Sequence, residues 1–241
     1  FASNPLINIV TSALIILGGL GYIVWWDVLR VFKSRSPKNR KIFRHLTLHS
    51  KIAITVTAGL ILVGAILIFA FEYANPLTIG EMSLFDKIQV SFFQSVTTRT
   101  AGFATVLQEN LTNASAAASI ILMLVGGSPV GTAGGMKTVT IAVLICSAFA
   151  TIRNKNSATL FGRRISEESI KKAVAVVVMF LTICTAATIL LMATSNASVI
   201  DAIYESVSAT ATVGLSRNLT ATLNTFGKII IIITMYFGRV G

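Results

Sequence analysis

The stretch SFFQSVTTRTAGF occupies residues 91–103, and a similar stretch, AIYESVSATATVGLS, occupies residues 202–216. Each overlaps a moderately apolar segment, Leu84 to Thr98 and Val199 to Thr210, that is too short to cross a bilayer as a helix. Apolar segments of about 10–14 residues are typical of re-entrant or interfacial helices. Each segment leads into a short loop that contains a glycine. The sequence therefore predicts two short helices that enter a membrane without crossing it.

The two stretches align as copies of one repeat. Residues 94–97 match residues 205–208 and, with one extra residue in the second copy, residues 100–103 match residues 212–215. The period is near 112 residues, which indicates an internal duplication. Long apolar segments flank each copy, so the predicted unit is a span, a short helix, a glycine-bearing loop and a second span.

Long uncharged runs predict helices that span a membrane. The sequence is 54% hydrophobic and 12% charged, whereas average soluble domains have about 25% charged residues, which argues against a soluble globule. About 20 apolar residues suffice for a helix to cross the hydrocarbon core. Three runs reach that length, namely Pro5 to Trp26, Ile52 to Phe71 and Ala173 to Asn196. Two further apolar segments run from Ala114 to Ala150 and from Phe226 to Phe237.

The charged residues indicate how the spans are oriented. The formal net charge is +11, and 14 of the 20 Lys and Arg residues fall in two loops. They are Arg30, Lys33, Arg35, Lys38, Arg40, Lys41, Arg44 and Lys51 in the first loop, and Arg153, Lys155, Arg163, Arg164, Lys171 and Lys172 in the second. The alternate loops hold Glu72, Glu81, Asp86, Glu109, Asp201 and Glu205. By the positive-inside rule the basic loops are cytoplasmic. Because the excess charge is a topology signal, we expect no nucleic-acid partner.

The glycine-bearing loops have the properties of an ion path. Non-helical backbone at membrane depth is tolerated only where protein buries it or where it lines a water-filled path. Gly102 and Gly214 permit backbone angles that turn successive carbonyls toward one axis. Rings of carbonyls replace the hydration shell of a cation, and the C-terminal end of each preceding helix adds partial negative charge. The pattern therefore favours a cation over an anion.

A different irregular segment, GGSPVGTAGGMKT at residues 126–138, interrupts the run from Ala114 to Ala150. Its glycines and its proline forbid a continuous helix, and Ser128 and Thr132 can meet a hydrated cation. A polar segment at mid-membrane is costly unless it lines a conduction path. We therefore expect a loop in the pore, formed by Gly126, Gly127, Ser128, Pro129, Gly131, Thr132, Gly134 and Gly135.

Three motifs in this order, TTRTAGF, GGSPVGTAGGMKT and ATATVGLS, resemble the third and fourth repeats of the Trk/Ktr/HKT superfamily of potassium transporters. The likeness is greatest to its bacterial membrane subunits of the KtrB or TrkH type, and it covers the whole chain. It implies an all-α integral membrane fold of tandem M1–pore loop–M2 repeats, like potassium-channel subunits, with pseudo-fourfold symmetry around one pore. It also implies potassium uptake across the plasma membrane, with K+ as the transported ion and no organic cofactor.

The resemblance gives roles to particular residues. Backbone groups of a selectivity filter would come from Thr100, Ala101, Gly102, Phe103, Thr212, Val213, Gly214 and Leu215, with K+ held at Gly102 and Gly214. The irregular segment would be a gating loop below the filter. Arg239 would lie near the pore and either raise an electrostatic barrier to cations or pair with that loop, in keeping with the high cost of an intramembrane arginine. We expect Arg99 to brace its loop through hydrogen bonds to carbonyls or to a nearby acid, and Lys137 to do the same.

The resemblance also suggests how the chain is organised. Residues 1–50 would hold the last helix of the second repeat and a basic cytoplasmic loop, residues 51–170 the third repeat, and residues 171–241 a truncated fourth repeat. Because the sequence starts without Met and stops inside an apolar segment, we expect a longer protein. The family's membrane subunits pair as homodimers on a ring of nucleotide-binding regulatory subunits, for which the basic loops offer a docking surface. Attraction to lipid headgroups is the alternative reading of these loops.

Three classes of function are compatible with a polytopic membrane protein. A membrane-embedded enzyme would need acidic, His or Cys residues clustered in the membrane, and the sequence shows no such cluster, so we expect no enzyme. An alternating-access cation symporter would have discontinuous helices at matching places in both halves. The sequence indicates parallel repeats with only the third inner helix broken. This favours a channel-like conduit.

Overall fold

The computed structural model describes residues 4–33, 42–131, 133–155 and 157–240, and these are mostly helical. The helices in chain order are α1 (Pro5–Leu20), α2 (Tyr22–Lys33), α3 (Ile42–His45), α4 (Leu48–Glu72), α5 (Leu84–Thr97), α6 (Asn113–Leu124), α7 (Thr138–Ile152), α8 (Glu167–Thr194), α9 (Val199–Thr210), α10 (Leu219–Thr222) and α11 (Thr225–Val240). A 3-10 turn covers Gln108–Asn110. A short hairpin pairs β1 (Thr159–Leu160) with β2 (Arg163–Arg164) in antiparallel register.

Among the residues that the structure describes, two helices are by themselves long and apolar enough to cross a membrane. α4 has 25 residues and α8 has 28, which at about 1.5 Å per residue gives lengths of roughly 37 Å and 42 Å. α4 contains the whole predicted span from Ile52 to Phe71. α8 contains the span predicted from Ala173 to Asn196 except its last two residues. α6 and α7 are shorter apolar helices of 12 and 15 residues. They are the two parts of the interrupted run predicted from Ala114 to Ala150.

The first predicted span, Pro5 to Trp26, is not one helix. α1 and α2 meet at an angle of 89°. The residue between them, Gly21, has a φ of +77°, a left-handed conformation that glycine adopts without steric cost. The prediction of one continuous helix is therefore wrong, because hydropathy does not reveal where a glycine turns the chain, although α1 and α2 together are long and apolar enough for a broken span. The expectation that only the third inner helix is broken is wrong for the same reason.

The two short predicted helices are confirmed as α5 and α9, and they begin in the same way. The Ser83 hydroxyl accepts a hydrogen bond from the Asp86 amide at 3.2 Å and donates one to the Asp86 carboxylate at 2.7 Å. Ser198 and Asp201 repeat this arrangement, at 3.2 Å and 2.6 Å. Each serine thus satisfies a free amide of the first turn, and each aspartate places a negative charge near the positive end of the helix. The shared cap supports the internal repeat.

Each short helix packs against the long helix that precedes it. α4 packs on α5, and α8 packs on α9. Gly64 lets α4 and α5 approach closely, since a Cβ there would lie 2.4 Å from the Ser95 hydroxyl oxygen. That hydroxyl donates to the Ile61 carbonyl at 2.8 Å. α6 of the third repeat also packs on α9 of the fourth, and a buried cluster that includes Met123, Phe180, Tyr204 and Val207 fills the space between repeats.

The division into residues 1–50, 51–170 and 171–241 stays a prediction. Residue 51 lies near the start of α4, and residue 171 lies near the start of α8. Both helices are continuous through these points. Each long helix therefore begins a few residues before the predicted boundary.

Candidate functional site

Three non-helical segments come together among the apolar helices. We call them the third-repeat loop (residues 98–107), the intramembrane loop (residues 125–137) and the fourth-repeat loop (residues 211–218). They contain all of the residues proposed from the sequence except Arg239, which lies near the end of α11. Thr132 lies outside the residues that the structure describes.

The third-repeat loop begins where α5 ends, and Thr97 holds it in place. The Thr97 carbonyl accepts hydrogen bonds from the amides of Ala101 at 3.1 Å and Gly102 at 3.4 Å. Its hydroxyl accepts from the Phe103 amide at 2.8 Å and donates to the Phe103 carbonyl at 2.6 Å. Thr100 has a φ of 62° and Gly102 a φ of 76°. The side chain at the end of the helix therefore fixes the path of the loop.

The fourth-repeat loop is built on the same plan. Ser208 is the counterpart of Thr97 in the sequence alignment. Its carbonyl accepts a hydrogen bond from the Val213 amide at 2.8 Å, and its hydroxyl accepts one from the Gly214 amide at 3.2 Å. Thr212 has a φ of 53° and Gly214 a φ of 92°. The extra residue of the second copy lies between Ser208 and the first residue with positive φ.

Positive φ at a threonine is a conformational outlier. For a β-branched residue the left-handed region is strongly disfavoured, and such strain costs on the order of 1–3 kcal/mol per residue. The strain occurs at Thr100 and Thr212, which occupy equivalent positions of the two repeats. In both loops the residue two places further on is a glycine with positive φ, and the residue between has negative φ. Strain repeated at equivalent positions is typical of a functional backbone conformation.

The two loops touch each other at their glycines. A Cβ on Gly102 would lie 2.4 Å from the Val213 carbonyl oxygen, and a Cβ on Gly214 would lie 3.7 Å from the Gly102 Cα. The flanking side chains differ in exposure: Phe103 is 53% exposed, whereas Leu215 is 3% exposed and packs in the cluster between the repeats. The structure therefore brings the backbones of the two predicted filter segments together, while the Phe103 side chain points away from the packed core.

The intramembrane loop is held closed at its ends. The Gly126 amide donates to the Met136 carbonyl at 2.9 Å, and the Thr138 amide donates to the Gly127 carbonyl at 3.1 Å. The Ser128 and Thr138 hydroxyls lie 3.3 Å apart. These bonds satisfy backbone groups that would otherwise be unpaired between α6 and α7, which is a requirement for irregular backbone at membrane depth.

The intramembrane loop contacts both glycine-bearing loops. The Arg99 guanidinium, which is 6% exposed, donates to the Gly126 carbonyl at 3.2 Å. This is the expected hydrogen bond from Arg99 to a carbonyl. On the other side, a Cβ on Gly134 would lie 2.0 Å from the Thr212 hydroxyl oxygen. Gly134 thus permits a contact that a larger residue would prevent.

The intramembrane loop also packs against the bend between α1 and α2. The Ser128 amide donates to the Gly19 carbonyl at 2.9 Å. A Cβ on Gly21 would lie 2.9 Å from the Pro129 carbonyl oxygen, and one on Gly127 would lie 2.8 Å from the Gly19 carbonyl oxygen. This contact was not predicted from the sequence. The closely spaced glycines at residues 18, 19 and 21 are the signal that could have revealed it.

Two basic residues lie at or near the end of the intramembrane loop. The Lys137 ammonium group donates to the Ala133 carbonyl at 2.6 Å, as expected for a residue that braces the loop. Arg239 is close enough to Lys137 for their charges to interact. The neighbouring Gly238 packs against the end of α9, where its Cβ would lie 1.9 Å from the Thr210 carbonyl oxygen. Among the residues that the structure describes, no group of three or more His, Cys, Asp or Glu side chains could hold a metal ion.

Comparison with known proteins shows the family of this chain. The sequence matches the TrkH family, described as cation transport protein, over residues 1–241. The chain belongs to the TrkH family. It is 37% identical over its full length to the Ktr system potassium uptake protein B of Vibrio alginolyticus and 36% identical to that of Bacillus subtilis, of which it covers 51% and 52%. The chain therefore spans about half the length of these relatives.

The fold of this TrkH-family chain is also found in a solved structure. The crystal structure of the potassium transporter TrkH from Vibrio parahaemolyticus superposes with a TM-score of 0.78 over 99% of this chain and 50% of that chain, at 17% sequence identity. The predicted all-α membrane fold with span, short helix, loop and span in each repeat is thus confirmed. The family is one of cation transporters, in agreement with the expectation that the chain is not an enzyme.

Proposed function

We propose that this chain is part of the ion-conducting subunit of a potassium transporter, and that its third- and fourth-repeat loops form half of a selectivity filter. The observation that carries the proposal is the matched backbone of the two loops, with positive φ at Thr100 and Gly102 and again at Thr212 and Gly214. Alternation of φ sign aligns successive carbonyls, and carbonyl rings replace the water of a potassium ion. The full set of contributing residues would be Thr100, Ala101, Gly102, Phe103, Thr212, Val213, Gly214 and Leu215.

In this proposal the intramembrane loop is the gate. It touches the base of both filter loops through Arg99 and Thr212. Its two ends are bonded to each other, from Gly126 to Met136 and from Thr138 to Gly127, so we expect α6 and α7 to stay in place when the loop moves. Arg239 and Lys137 add two positive charges nearby, and these would form an electrostatic barrier that a cation crosses when the loop moves.

The proposal places the protein in the plasma membrane with its basic loops in the cytoplasm. Arg30 and Lys33 end α2, Lys51 starts α4, and β2 carries Arg163 and Arg164. Glu72 ends α4, and Asp201 lies in the first turn of α9, which follows the end of α8, so these acids lie beyond the opposite ends of the long helices. This distribution follows the positive-inside rule. The basic surface would dock a ring of nucleotide-binding regulatory subunits beneath a homodimer of the membrane subunit.

A flux measurement on the full-length protein tests the proposed function. The protein would be reconstituted in liposomes that contain potassium, and uptake of rubidium tracer would be measured with potassium or sodium outside as competitor. We expect potassium to compete strongly and sodium weakly. Equal competition by both ions, or an absence of rubidium flux beyond that of empty liposomes, would refute the proposal.

A second candidate is an alternating-access cation symporter. The observation that favours it is the break between α1 and α2. With the break between α6 and α7, the chain has two discontinuous inner helices, one before and one after the third-repeat loop in sequence. Reversal potentials in planar bilayers separate the candidates. A conduit reverses at the potassium equilibrium potential whatever the sodium gradient, whereas a sodium-coupled symporter shifts its reversal potential when the sodium gradient is changed.

A further inference from the structure

A buried polar network joins the third and fourth repeats directly behind the filter loops. Its centre is Gln108, which is 4% exposed and follows the third-repeat loop. Gln94 of α5 and Tyr204 of α9 are fully buried beside it. Three contacts of this network are between residues 96 to 109 positions apart in sequence. These contacts were not predicted from the sequence, because isolated polar residues in a loop and a helix carry no pattern.

The Gln108 side chain bonds to both short helices at once. Its carbonyl oxygen accepts from the Gln94 amide at 2.5 Å and from the Tyr204 hydroxyl at 3.0 Å. Its own amide donates to the Val106 carbonyl at 2.8 Å and to the Gln94 carbonyl oxygen at 3.2 Å. Each side-chain hydrogen-bonding atom of Gln108 is therefore in use. A buried polar group that loses its partner destabilises the protein, so these bonds hold Gln108 in position.

Arg217 makes a parallel link from the fourth repeat. It lies three positions after Gly214, and its side chain is 9% exposed. The guanidinium donates to the carbonyls of Gln108 at 3.1 Å and Leu111 at 3.2 Å, both in the third repeat. It also forms an ion pair with Asp201 at 2.6 Å, at the start of α9. The end of the fourth-repeat loop is thus tied to the end of the third-repeat loop.

The network is close in the chain to the groups that fix the filter backbone. Gln94 lies one helical turn before Thr97, whose hydroxyl and carbonyl hold the third-repeat loop. Tyr204 lies one turn before Ser208, which holds the fourth-repeat loop. A shift between Gln94 and Tyr204 would therefore change the distance between Gly102 and Gly214. Gln108 bonds to both and opposes such a shift.

We propose that Gln108, together with Tyr204 and Arg217, is a positioning brace that sets the spacing between two neighbouring filter loops and thereby sets the preference for potassium over sodium. The inference rests on the proposed function, because it needs the loops to be a filter. The brace touches no ion. It acts by holding the filter carbonyl oxygens at the separation that suits potassium. Without the brace this separation is free to change, and the carbonyl oxygens can move inward to coordinate the smaller sodium ion.

Two variants of the full-length protein test the brace. Gln108→Met keeps the approximate size of the side chain and removes all of its hydrogen bonds, whereas Tyr204→Phe removes a single hydroxyl. Rubidium uptake into liposomes would be measured as a function of concentration, with sodium as competitor. Since each hydrogen bond contributes about 0.5–1.5 kcal/mol, we expect the preference for potassium over sodium to fall by roughly two- to tenfold in Tyr204→Phe and by more in Gln108→Met. The KM for potassium rises, while the maximal rate changes less.

Glu72→Gln provides a matched control. Glu72 is as deeply buried, at 1% exposure, and accepts hydrogen bonds from Asn75, Thr78 and Thr112. All of its partners belong to the third repeat, so its loss lowers stability without changing the spacing between repeats. We expect Glu72→Gln to lower the unfolding temperature and to leave the potassium preference unchanged.

The outcomes separate the brace from the filter. If the wild type prefers potassium and Tyr204→Phe keeps the same preference, the brace is overturned and the filter proposal stands. An equal loss of preference in Glu72→Gln would also overturn it, because general loosening would then explain the effect. A wild type without any potassium preference would overturn the proposed function itself. If Gln108→Met does not fold, Tyr204→Phe alone decides.

Discussion

Replacing Gly102 by alanine perturbs the filter at the point where its two loops meet. The new Cβ would lie 2.4 Å from the Val213 carbonyl oxygen, whereas ordinary contacts begin at 3.4 Å. The carbonyl must therefore move by about 1 Å, which is comparable to overpacking in a core and costs about 1–3 kcal/mol. The φ of +76° adds a left-handed penalty of roughly 1–2 kcal/mol for a residue with a Cβ. The displaced carbonyl is one of those proposed to coordinate potassium.

Two other glycines separate these effects. Gly162, in the turn between β1 and β2, has a φ of +75° and no atom within 4 Å of its Cβ position. Gly162→Ala thus carries the same backbone penalty without a clash and outside the filter. Gly214→Ala has a φ of +92° and a nearest contact at 3.7 Å, so it strains the filter backbone without displacing a neighbouring carbonyl.

Rubidium uptake with potassium and sodium as competitors distinguishes the three variants. We expect Gly102→Ala to lower the preference for potassium over sodium by about tenfold or more, which corresponds to about 1.4 kcal/mol. Gly214→Ala has a smaller effect, and Gly162→Ala has none, although all three lower the unfolding temperature. Equal preference in Gly102→Ala and Gly162→Ala would refute the reasoning, because the close contact between Gly102 and Val213 would then not be part of an ion-coordinating structure.

Three further predictions concern the intramembrane loop and are read from the rate of rubidium uptake. Arg99→Met removes the hydrogen bond from Arg99 to the Gly126 carbonyl. Because this bond holds the loop against the third-repeat loop, we expect faster uptake, and a rate equal to that of the wild type would contradict this role of Arg99. Deletion of Gly126 to Gly135 removes the proposed gate and is expected to raise uptake, and an inactive but folded protein would count against a gate. Gly21→Ala pushes on the Pro129 carbonyl from 2.9 Å and is expected to displace the loop and change the rate, whereas Gly19→Ala, with no atom within 4 Å, is its control.

The repeated short helices could be predicted from the sequence because their signal is local. Their length, the glycine that follows each of them and their similarity to each other were all visible in residues 84–103 and 199–216. α5 ends at Thr97, one residue before its predicted end. α9 ends at Thr210, as predicted. The interruption between α6 and α7 was visible for the same reason, since five glycines and a proline within ten residues exclude a helix.

The features that could not be predicted depend on contacts between distant residues. The bend at Gly21 occurs in an uncharged run whose hydropathy is that of a single span. The bend packs against the intramembrane loop, more than a hundred residues further along the chain, which fills the space beside Gly21. Gln108 was missed for a related reason: its partners Gln94 and Tyr204 become neighbours only when the third and fourth repeats pack together.

The central claim is that the third- and fourth-repeat loops hold a potassium ion by their backbone carbonyls. It is tested most directly by anomalous diffraction from crystals of the full-length protein grown with rubidium or thallium in place of potassium. The account predicts an anomalous peak in contact with the carbonyl oxygens of residues 100–103 and 212–215, which is lost when the ion is replaced by sodium. A peak elsewhere, with no bound ion between Gly102 and Gly214, would contradict it.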